Sequence, residues 1–326
     1  MHMASALVAP IVAGTMYGSS AMAGMNAVRK INRKEDLKQK APMIALAGAF
    51  VFAGQMVNFA IPGTGSSGHL IGGMLLASLL GPHISYIVMA VILSIQCLLF
   101  GDGGLMALGC NIWNMAFLSC YIGYYMVYRP IMNKKLSTGR LFGASMIGSI
   151  VTLQIGSLCV ALESMLSGIT QLNFNTFLQA MQPIHLAIGA MEGVITFAVL
   201  YMVKAAELEK MSTKKMAAYV GSIVLIVAGA LSLAASNQPD GLEWSIKQTT
   251  GSSELKGQGR IYELTENIQA NTAIFTDYKI AAIDNEILAS SLAGITGAIA
   301  TGGILIVTFY RKQKKQVSIK QSCIQK

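Results

Sequence analysis

Apolar segments recur along the whole chain, most of them long enough to cross a lipid bilayer, and they limit it to a membrane fold. They lie near 6–27, 42–61, 70–81, 84–100, 104–128, 141–165, 184–203, 217–235 and 289–309. A transmembrane helix needs about 20 apolar residues, and only 12% of this chain is charged. The alternation of apolar and polar residues that is typical of membrane β-barrel strands is absent. We therefore expect an all-α, polytopic membrane helical bundle with about nine transmembrane helices.

The positive charges predict how these helices are oriented. Twenty of the 24 Lys and Arg residues lie in four short segments, which are 29–40, 129–140, 204–215 and the tail from Arg311. No cationic segment precedes the first apolar run, so we interpret 6–27 as an uncleaved span with its N-terminus outside. Nine crossings then place all four segments in the cytoplasm. The net charge of +9 indicates contact with anionic membrane lipid and partner proteins, not with nucleic acid.

The charge map divides the chain into two transmembrane parts. Residues 1–204 form a seven-span unit with short loops, followed by a basic cytoplasmic linker at 205–216. A two-span unit occupies 217–309 and a basic cytoplasmic tail occupies 310–326. The outer loop of the two-span unit, 236–288, mixes turn formers with apolar residues and carries eight acids. We expect that loop to be a small folded module outside the membrane.

The first two residues can chelate a metal ion. The α-amine of Met1, the amide nitrogen of His2 and the His2 imidazole form two fused chelate rings, and His69 on the same outer side can add a fourth nitrogen. Four nitrogens in a plane suit Ni(II) and Cu(II) better than zinc or magnesium. The alternative is a flexible glycine-flanked loop in which His69 is an ordinary polar residue at a helix start.

Five further polar residues are candidates for supporting this site, and three of them have a structural alternative. Asp102 is expected either to attract a cation or to cap a helix. His185 is expected on the outer side. Glu192 follows His185 by two helical turns, and we expect it either to support the site or to pair with another helix. Asn58 pins the loop that carries His69 or bonds between helices. Ser67 belongs to that same glycine-flanked loop. A third acid, Glu163, is expected to be wet at an outer helix end.

Other features of the sequence are less specific. The five cysteines form no CxxC pair, and the 20 methionines are scattered through apolar runs, so both are expected in the helix core. Small residues at Ala45, Ala49 and Ala53 form a stripe that permits close helix contact, either with a partner subunit or within the chain. No GxxxxGK[ST] phosphate loop occurs, so an ATPase site is not expected.

Four segments carry a family resemblance. Residues 1–4, 55–70 and 100–112 read MHMA, QMVNFAIPGTGSSGHL and FGDGGLMALGCNI, and they resemble the substrate-binding membrane subunits of nickel/cobalt energy-coupling factor transporters of prokaryotes. Residues 239–243, PDGLE, resemble the start of the small companion subunit, here fused at the C-terminus. One departure is Ser5, where the family usually has aspartate.

The resemblance implies that Met1, His2 and His69 hold the ion and that the chain captures Ni(II) or Co(II) as transported substrate. It also implies partners, namely a transmembrane coupling subunit and a pair of cytoplasmic ABC ATPases. The chain would then be a multi-pass protein of the cytoplasmic membrane, with its N-terminus outside and its C-terminus inside, and not an enzyme. The alternative function is a stand-alone or proton-coupled divalent metal carrier or channel.

Overall fold

A computed structural model describes residues 1–31, 37–133, 137–168, 172–208, 213–229, 236–252, 255, 257–278 and 285–324. Helices dominate these residues, and the only regular strands among them form one short hairpin. The helices are α1 (Pro10–Ile31), α2 (Leu37–Gln55), α3 (Gly73–Leu80), α4 (Pro82–Ile95), α5 (Leu108–Asn111), α6 (Arg129–Met132), α7 (Thr138–Ser167), α8 (Phe174–Leu208), α9 (Thr213–Gly229), α10 (Gly241–Thr250), α11 (Arg260–Thr272) and α12 (Glu286–Ile324).

Two helices continue beyond these bounds in a wider helical geometry. A π-helical turn, Gln96–Phe100, extends α4, and the π-helical segment Ile112–Tyr128 joins α5 to α6. Single-turn 3₁₀ helices lie at Ser5–Leu7 and Thr276–Tyr278. The strands β1 (Phe59–Ile61) and β2 (Ser66–Gly68) pair antiparallel, with Phe59 opposite Gly68. This hairpin sits directly before His69.

Four helical segments among the described residues are long and apolar enough to cross a membrane. They are Pro82–Phe100, Thr138–Ser167, Phe174–Ala205 and Leu288–Phe309. The expected helical membrane bundle is thus confirmed, whereas the count of nine spans stays a prediction. The segment expected to be a short span near 70–81 contains only the eight residues of α3, about 12 Å of helix against a hydrocarbon core of about 30 Å.

Glycine and proline separate α3 from α4, as the dipeptide Gly81-Pro82 predicts. Gly81 has φ 79°, a left-handed value, and Pro82 occupies the first turn of α4. Proline is favoured there because the first amide of a helix lacks a partner within it. The pair therefore breaks the apolar run into two helices that contact each other.

Helix α2 packs closely along α12, which is the last helix of the chain. Ala45, Ala49 and Ala53 are all buried, and a side chain at Gly302 of α12 would lie 3.7 Å from the Ala45 carbonyl oxygen and 3.9 Å from Ala49 Cβ. Ala45 and Ala49 thus pack within the chain, as the alternative to partner docking expects. Small residues allow the two backbones to approach because no side chain separates them.

Candidate metal centre

The N-terminus is threaded into the interior of the protein instead of lying at its surface. Met1 is 4% exposed and Met3 is fully buried. The backbone N–H of Met3 donates to Asn111 Oδ1 at 2.7 Å, and Asn111 Nδ2 donates back to the Met3 carbonyl at 3.2 Å. The side-chain amide of Asn111 thus makes the same pair of hydrogen bonds to the Met3 backbone that a neighbouring β-strand makes. This pairing fixes the position of Met1 and His2, which precede Met3.

A glycine makes room for this N-terminal segment. The N–H of Gly104 donates to the Met3 carbonyl at 2.8 Å, and a Cβ at Gly104 would overlap the backbone of Ser5. Ser5 is buried, and its hydroxyl accepts a hydrogen bond from the N–H of Met106 at 3.3 Å. Ser5 therefore anchors the end of the segment, and Gly104 permits the close approach.

His69 follows the hairpin and faces His2. The two imidazole rings are stacked with their centroids 5.4 Å apart and their planes 17° apart. His69 Nδ1 lies 3.0 Å from the carbonyl of Leu70; because a carbonyl only accepts, Nδ1 carries the proton. Nε2 of His69 then keeps its lone pair, as a metal ligand must.

Burial favours the neutral form of both imidazoles. Desolvation, with the nearby amine and His2, lowers the pKa of His69 to about 4. Desolvation also lowers the pKa of His2, although the carboxylate of Asp102 opposes this. Neutral imidazole is the form that binds metal ions, so burial favours the metal-binding form of both rings.

Glu192 holds the backbone that follows His69. Its carboxylate oxygens accept the N–H of Ile71 at 2.9 Å and that of Gly72 at 3.2 Å. The expectation that Glu192 supports the site fits this geometry, whereas pairing with a neighbouring helix does not describe it. A buried carboxylate that accepts two backbone N–H groups fixes the path of the chain between β2 and α3.

Two glutamines link this loop to His2. Gln55 Nε2 donates to the carbonyl of Ile71 at 2.8 Å, and Gln96 Nε2 donates to Gln55 Oε1 at 2.8 Å. Gln96 Oε1 lies 3.2 Å from His2 Nε2. Gln55 thus has the role that was expected of Asn58. Asn58 joins the C-terminal module instead, because its carbonyl accepts the N–H of Ser236 at 2.8 Å.

Two of the three nitrogens of the N-terminal chelate have an acidic neighbour. The Met1 amine lies 3.0 Å from Asp240 Oδ2, and His2 Nδ1 lies 3.3 Å from Asp102 Oδ1. Asp102 is therefore an electrostatic partner of His2, and it does not cap α5, which begins later at Leu108. A metal ion with two positive charges is attracted to a site that already contains two carboxylates.

Asp240 was not expected at the site, although the PDGLE segment containing it stands out in the sequence. One oxygen, Oδ1, accepts the N–H groups of Leu242 and Glu243 at 2.8 Å each, and Glu243 accepts the N–H of Asp240 in a capping box at the start of α10. Burial alone would raise the pKa of Asp240, but the amine and these hydrogen bonds hold that pKa well below its ordinary value. The second oxygen, Oδ2, therefore presents a fixed negative charge to Met1.

Ser67 seats the PDGLE turn on the hairpin. Its N–H donates to the carbonyl of Pro239 at 2.8 Å, and its hydroxyl donates to the carbonyl of Gln238 at 2.7 Å. Trp244 Nε1 donates to the Thr64 carbonyl at 3.0 Å. Ser67 is thus a docking residue for the C-terminal module, and it acts on the site by positioning Asp240.

A second part of the module supports Asp102. The hydroxyl of Tyr278 donates to Asp102 Oδ2 at 2.6 Å, and Gln269 Nε2 donates to the Gly103 carbonyl at 2.7 Å. The module therefore contacts both carboxylates that face the N-terminal nitrogens. These contacts join residues more than 160 positions apart, and no local pattern reveals them.

The two remaining expected residues are buried in helices. His185 of α8 is fully buried rather than at an outer surface, and it lines one small cavity with Met1, His69 and Asp240. Glu163 of α7 is also buried, not wet, and its carboxylate accepts Asn114 Nδ2 at 2.8 Å. Among the described residues, no three His, Cys, Asp or Glu side chains converge on one point. A chelate in this site therefore depends on main-chain nitrogens as well.

Known proteins with similar sequences are metal transport proteins. The chain is 32% identical over 257 residues to a putative fused nickel transport protein NikMN of Archaeoglobus fulgidus, which covers 79% of this chain and 82% of that one. It is 31% identical over 308 residues to a probable fused nickel transport protein LarMN of Lactiplantibacillus plantarum, covering 87% and 90%. Over 202 residues it is 30% identical to a cobalt transport protein CbiM of Clostridium tetani, covering 60% and 81%.

A solved structure shares the fold of the larger part. The crystal structure of a truncated transition metal transporter superimposes with a TM-score of 0.55 at 33% identity, covering 65% of this chain and all of that one. Residues 214–314 match the PDGLE domain. Residues 2–210 match the CbiM family. The chain therefore belongs to the CbiM family, described as the cobalt uptake substrate-specific transmembrane region, and carries a fused PDGLE domain after it.

Proposed function

We propose that this protein captures Ni(II), or Co(II), as the substrate-binding component of an ATP-driven energy-coupling factor transporter. The observation that carries the proposal is the meeting of the Met1 amine, His2 and His69 in one buried place beside two carboxylates. Relatives named for nickel and for cobalt transport support it. The substrate is then an ion that accepts nitrogen donors.

The proposed ligands are four nitrogens. They are the α-amine of Met1, the amide and Nδ1 of His2, and Nε2 of His69. Binding requires the amine to leave Asp240 and His2 Nδ1 to turn from Asp102, and it releases the protons of the amine and the amide. The divalent ion replaces those two positive charges, so the net charge of the buried site stays the same. Asp102 and Asp240 remain to balance the ion.

Nickel is favoured over cobalt by this ligand set. A deprotonated amide and an amine in fused chelate rings impose a planar arrangement, which Ni(II) accepts readily. The relatives do not decide between the metals, because they are named for both. We propose nickel as the principal substrate on the chemistry of the ligands.

Transport requires partners that use ATP. We propose that a transmembrane coupling subunit and a pair of cytoplasmic ABC ATPases impose the movement that releases the ion inside. In this arrangement the N-terminus lies outside, the C-terminus lies inside, and the PDGLE domain covers the site from outside. The carboxylates that this domain supports would hold the N-terminal segment in place before the ion arrives.

The decisive experiment compares proteins that differ only before Met1. We expect the chain with its native N-terminus to bind one nickel ion tightly, with the visible absorption of planar Ni(II). Four extra residues before Met1 should abolish that spectrum, because the amine is then too far from the His2 imidazole to share fused chelate rings with it. The same four residues added after Lys326 are the control. Tight planar binding in the extended protein would reject the amine as a ligand.

A transport assay separates this function from that of an independent carrier. Liposomes containing the chain alone should not accumulate nickel, whereas addition of the coupling subunit, the ATPase pair and ATP should start uptake. Accumulation by the chain alone, driven by a proton gradient, would favour the stand-alone carrier. When both liposome preparations contain the same amount of the chain, uptake that requires the partners and uptake by the chain alone cannot both be observed.

A further inference from the structure

His185 presents an unused nitrogen lone pair inside the protein. Its Nδ1 lies 2.8 Å from the carbonyl of Met181 one turn earlier in α8. Because the carbonyl only accepts, Nδ1 carries the proton and Nε2 carries a lone pair. Nε2 is buried and has no hydrogen-bond partner among the residues that the structure describes, and the residue is fully buried. Buried polar atoms without partners are rare in folded proteins and call for an explanation.

The cavity next to His185 is the one beside the proposed nickel site. Its lining consists of Met1, Gly68, His69, Ile71, His185, Ile188, Asp240 and Gly241. The space is too narrow for a water molecule, so solvent does not satisfy Nε2 either. Within this lining the two imidazoles have the same tautomer, with a proton on Nδ1 and a lone pair on Nε2.

Glycine at position 241 keeps this space open. A Cβ there would lie 3.2 Å from His185 Cε1 and 2.7 Å from Ile184 Cγ2. The PDGLE turn therefore covers His185 closely without filling the space in front of its ring. The residue beside it in sequence, Asp240, holds the Met1 amine, so the covered space adjoins the chelate.

We propose that His185 and His69 form a second position for the metal ion, occupied while nickel passes into or out of the N-terminal chelate. His69 belongs to both positions, so the ion exchanges the nitrogens of Met1 and His2 for that of His185 without leaving protein ligands. Two imidazoles bind Ni(II) and Co(II) more weakly than a fused chelate does. The inference rests on the proposed function, since it assumes that the chelate holds the ion.

Two substitutions of His185 separate this role from a structural one. H185N keeps an N–H at the position of Nδ1, where it can bond the Met181 carbonyl, but places no donor at the position of Nε2. H185Q reaches the position of Nε2 with an amide oxygen, which is a poorer ligand for nickel. A role confined to the bond with Met181 predicts that H185N behaves as wild type and that H185Q is impaired.

The experiment measures Ni(II) association and dissociation rates in the full chain with its native N-terminus by stopped-flow absorption. In H185N we expect both rates to fall tenfold or more, with the dissociation constant within twofold and the final spectrum unchanged; H185Q should be intermediate. H83Q, which alters a histidine in α4, is the control and should keep wild-type rates. Wild-type rates in H185N, or a changed final spectrum, would overturn the proposal.

A second variant tests the position without changing His185. G241A narrows the space in front of the ring and should also slow both rates at least fivefold, whereas G14A, which meets no neighbour within 4 Å, should not. Wild-type nickel association and dissociation rates in G241A would contradict the second metal position, and this result can be read even if H185N fails to fold. Failure of the proposed function would appear separately, as planar nickel binding by the chain extended before Met1.

Discussion

The carboxylate of Asp240 lies 3.0 Å from the α-amine of Met1, across 239 positions of sequence. One oxygen of Asp240 caps α10, and the other faces the amine. The PDGLE domain thereby places a fixed negative charge beside the α-amine, which is the first group of the chain. In the fused protein, the two parts of the chain complete one site.

Replacement of Asp240 by asparagine should separate these two tasks. Asparagine is as good a helix cap as aspartate, so α10 should persist, but the charge that faces the amine is lost. We expect nickel to bind roughly tenfold or more weakly, measured by competition with a coloured chelator. E243Q keeps an oxygen for the Asp240 N–H and is the matched control. Equal weakening in E243Q would show that any negative charge in this turn has the same effect and that the contact of Asp240 with the amine is not special.

Glu192 should be needed for the position of His69. Glutamine at position 192 has only one side-chain oxygen, so it can accept from only one of the two backbone N–H groups of Ile71 and Gly72. Its NH₂ group then faces the second backbone N–H, which is left without an acceptor. An unsatisfied buried N–H costs about 1–3 kcal/mol, so E192Q should melt at a lower temperature and bind nickel about tenfold more weakly. E163Q, which can still accept from Asn114, should keep wild-type nickel affinity. Unchanged affinity in E192Q would contradict the positioning role.

The stability of the metal-free protein should depend on pH through His69. Its pKa is 6.5 ordinarily and about 4 when folded, so the unfolded chain binds more protons in this interval. Stability should therefore fall as the pH falls from about 6.5 towards about 4. Melting temperatures at a series of pH values measure this effect. H69N, which lacks the titrating ring, should show a shallower decline, and an identical decline would exclude His69 as its source.

Local patterns were sufficient to predict much of this protein. A chelating pair of adjacent residues, Met1 and His2, needs no fold to be recognised, and neither does the break of a helix at Gly81-Pro82. The helical membrane class follows from apolar length. Such features depend on neighbours in the sequence and not on how distant segments pack.

The supporting contacts were beyond prediction because they depend on how distant segments pack. Glu192 was a candidate on charge alone, but its partners Ile71 and Gly72 lie about 120 positions away. The alanine stripe of α2 indicated a close helix neighbour without naming it, and that neighbour is α12 of the same chain. Residue spacing shows which face of a helix carries small side chains, whereas only the fold shows which element packs against that face.

Close packing at Gly104 leads to a final prediction. The Met3 carbonyl accepts the N–H of Gly104, and a Cβ at that position would overlap the backbone of Ser5. G104A should push residues 1–5 away from Asn111, withdraw the amine from Asp240 and weaken nickel binding by about tenfold or more, as loss of ligand support does. G139A, whose Cβ would meet no neighbour within 4 Å, controls for the extra methyl group. The amine and His2 help to lower the pKa of His69, so the stability of the metal-free G104A protein should fall less steeply as the pH falls, and the planar spectrum should be lost when nickel is added. Retention of that spectrum would show that the N-terminal segment reaches the ion from another path.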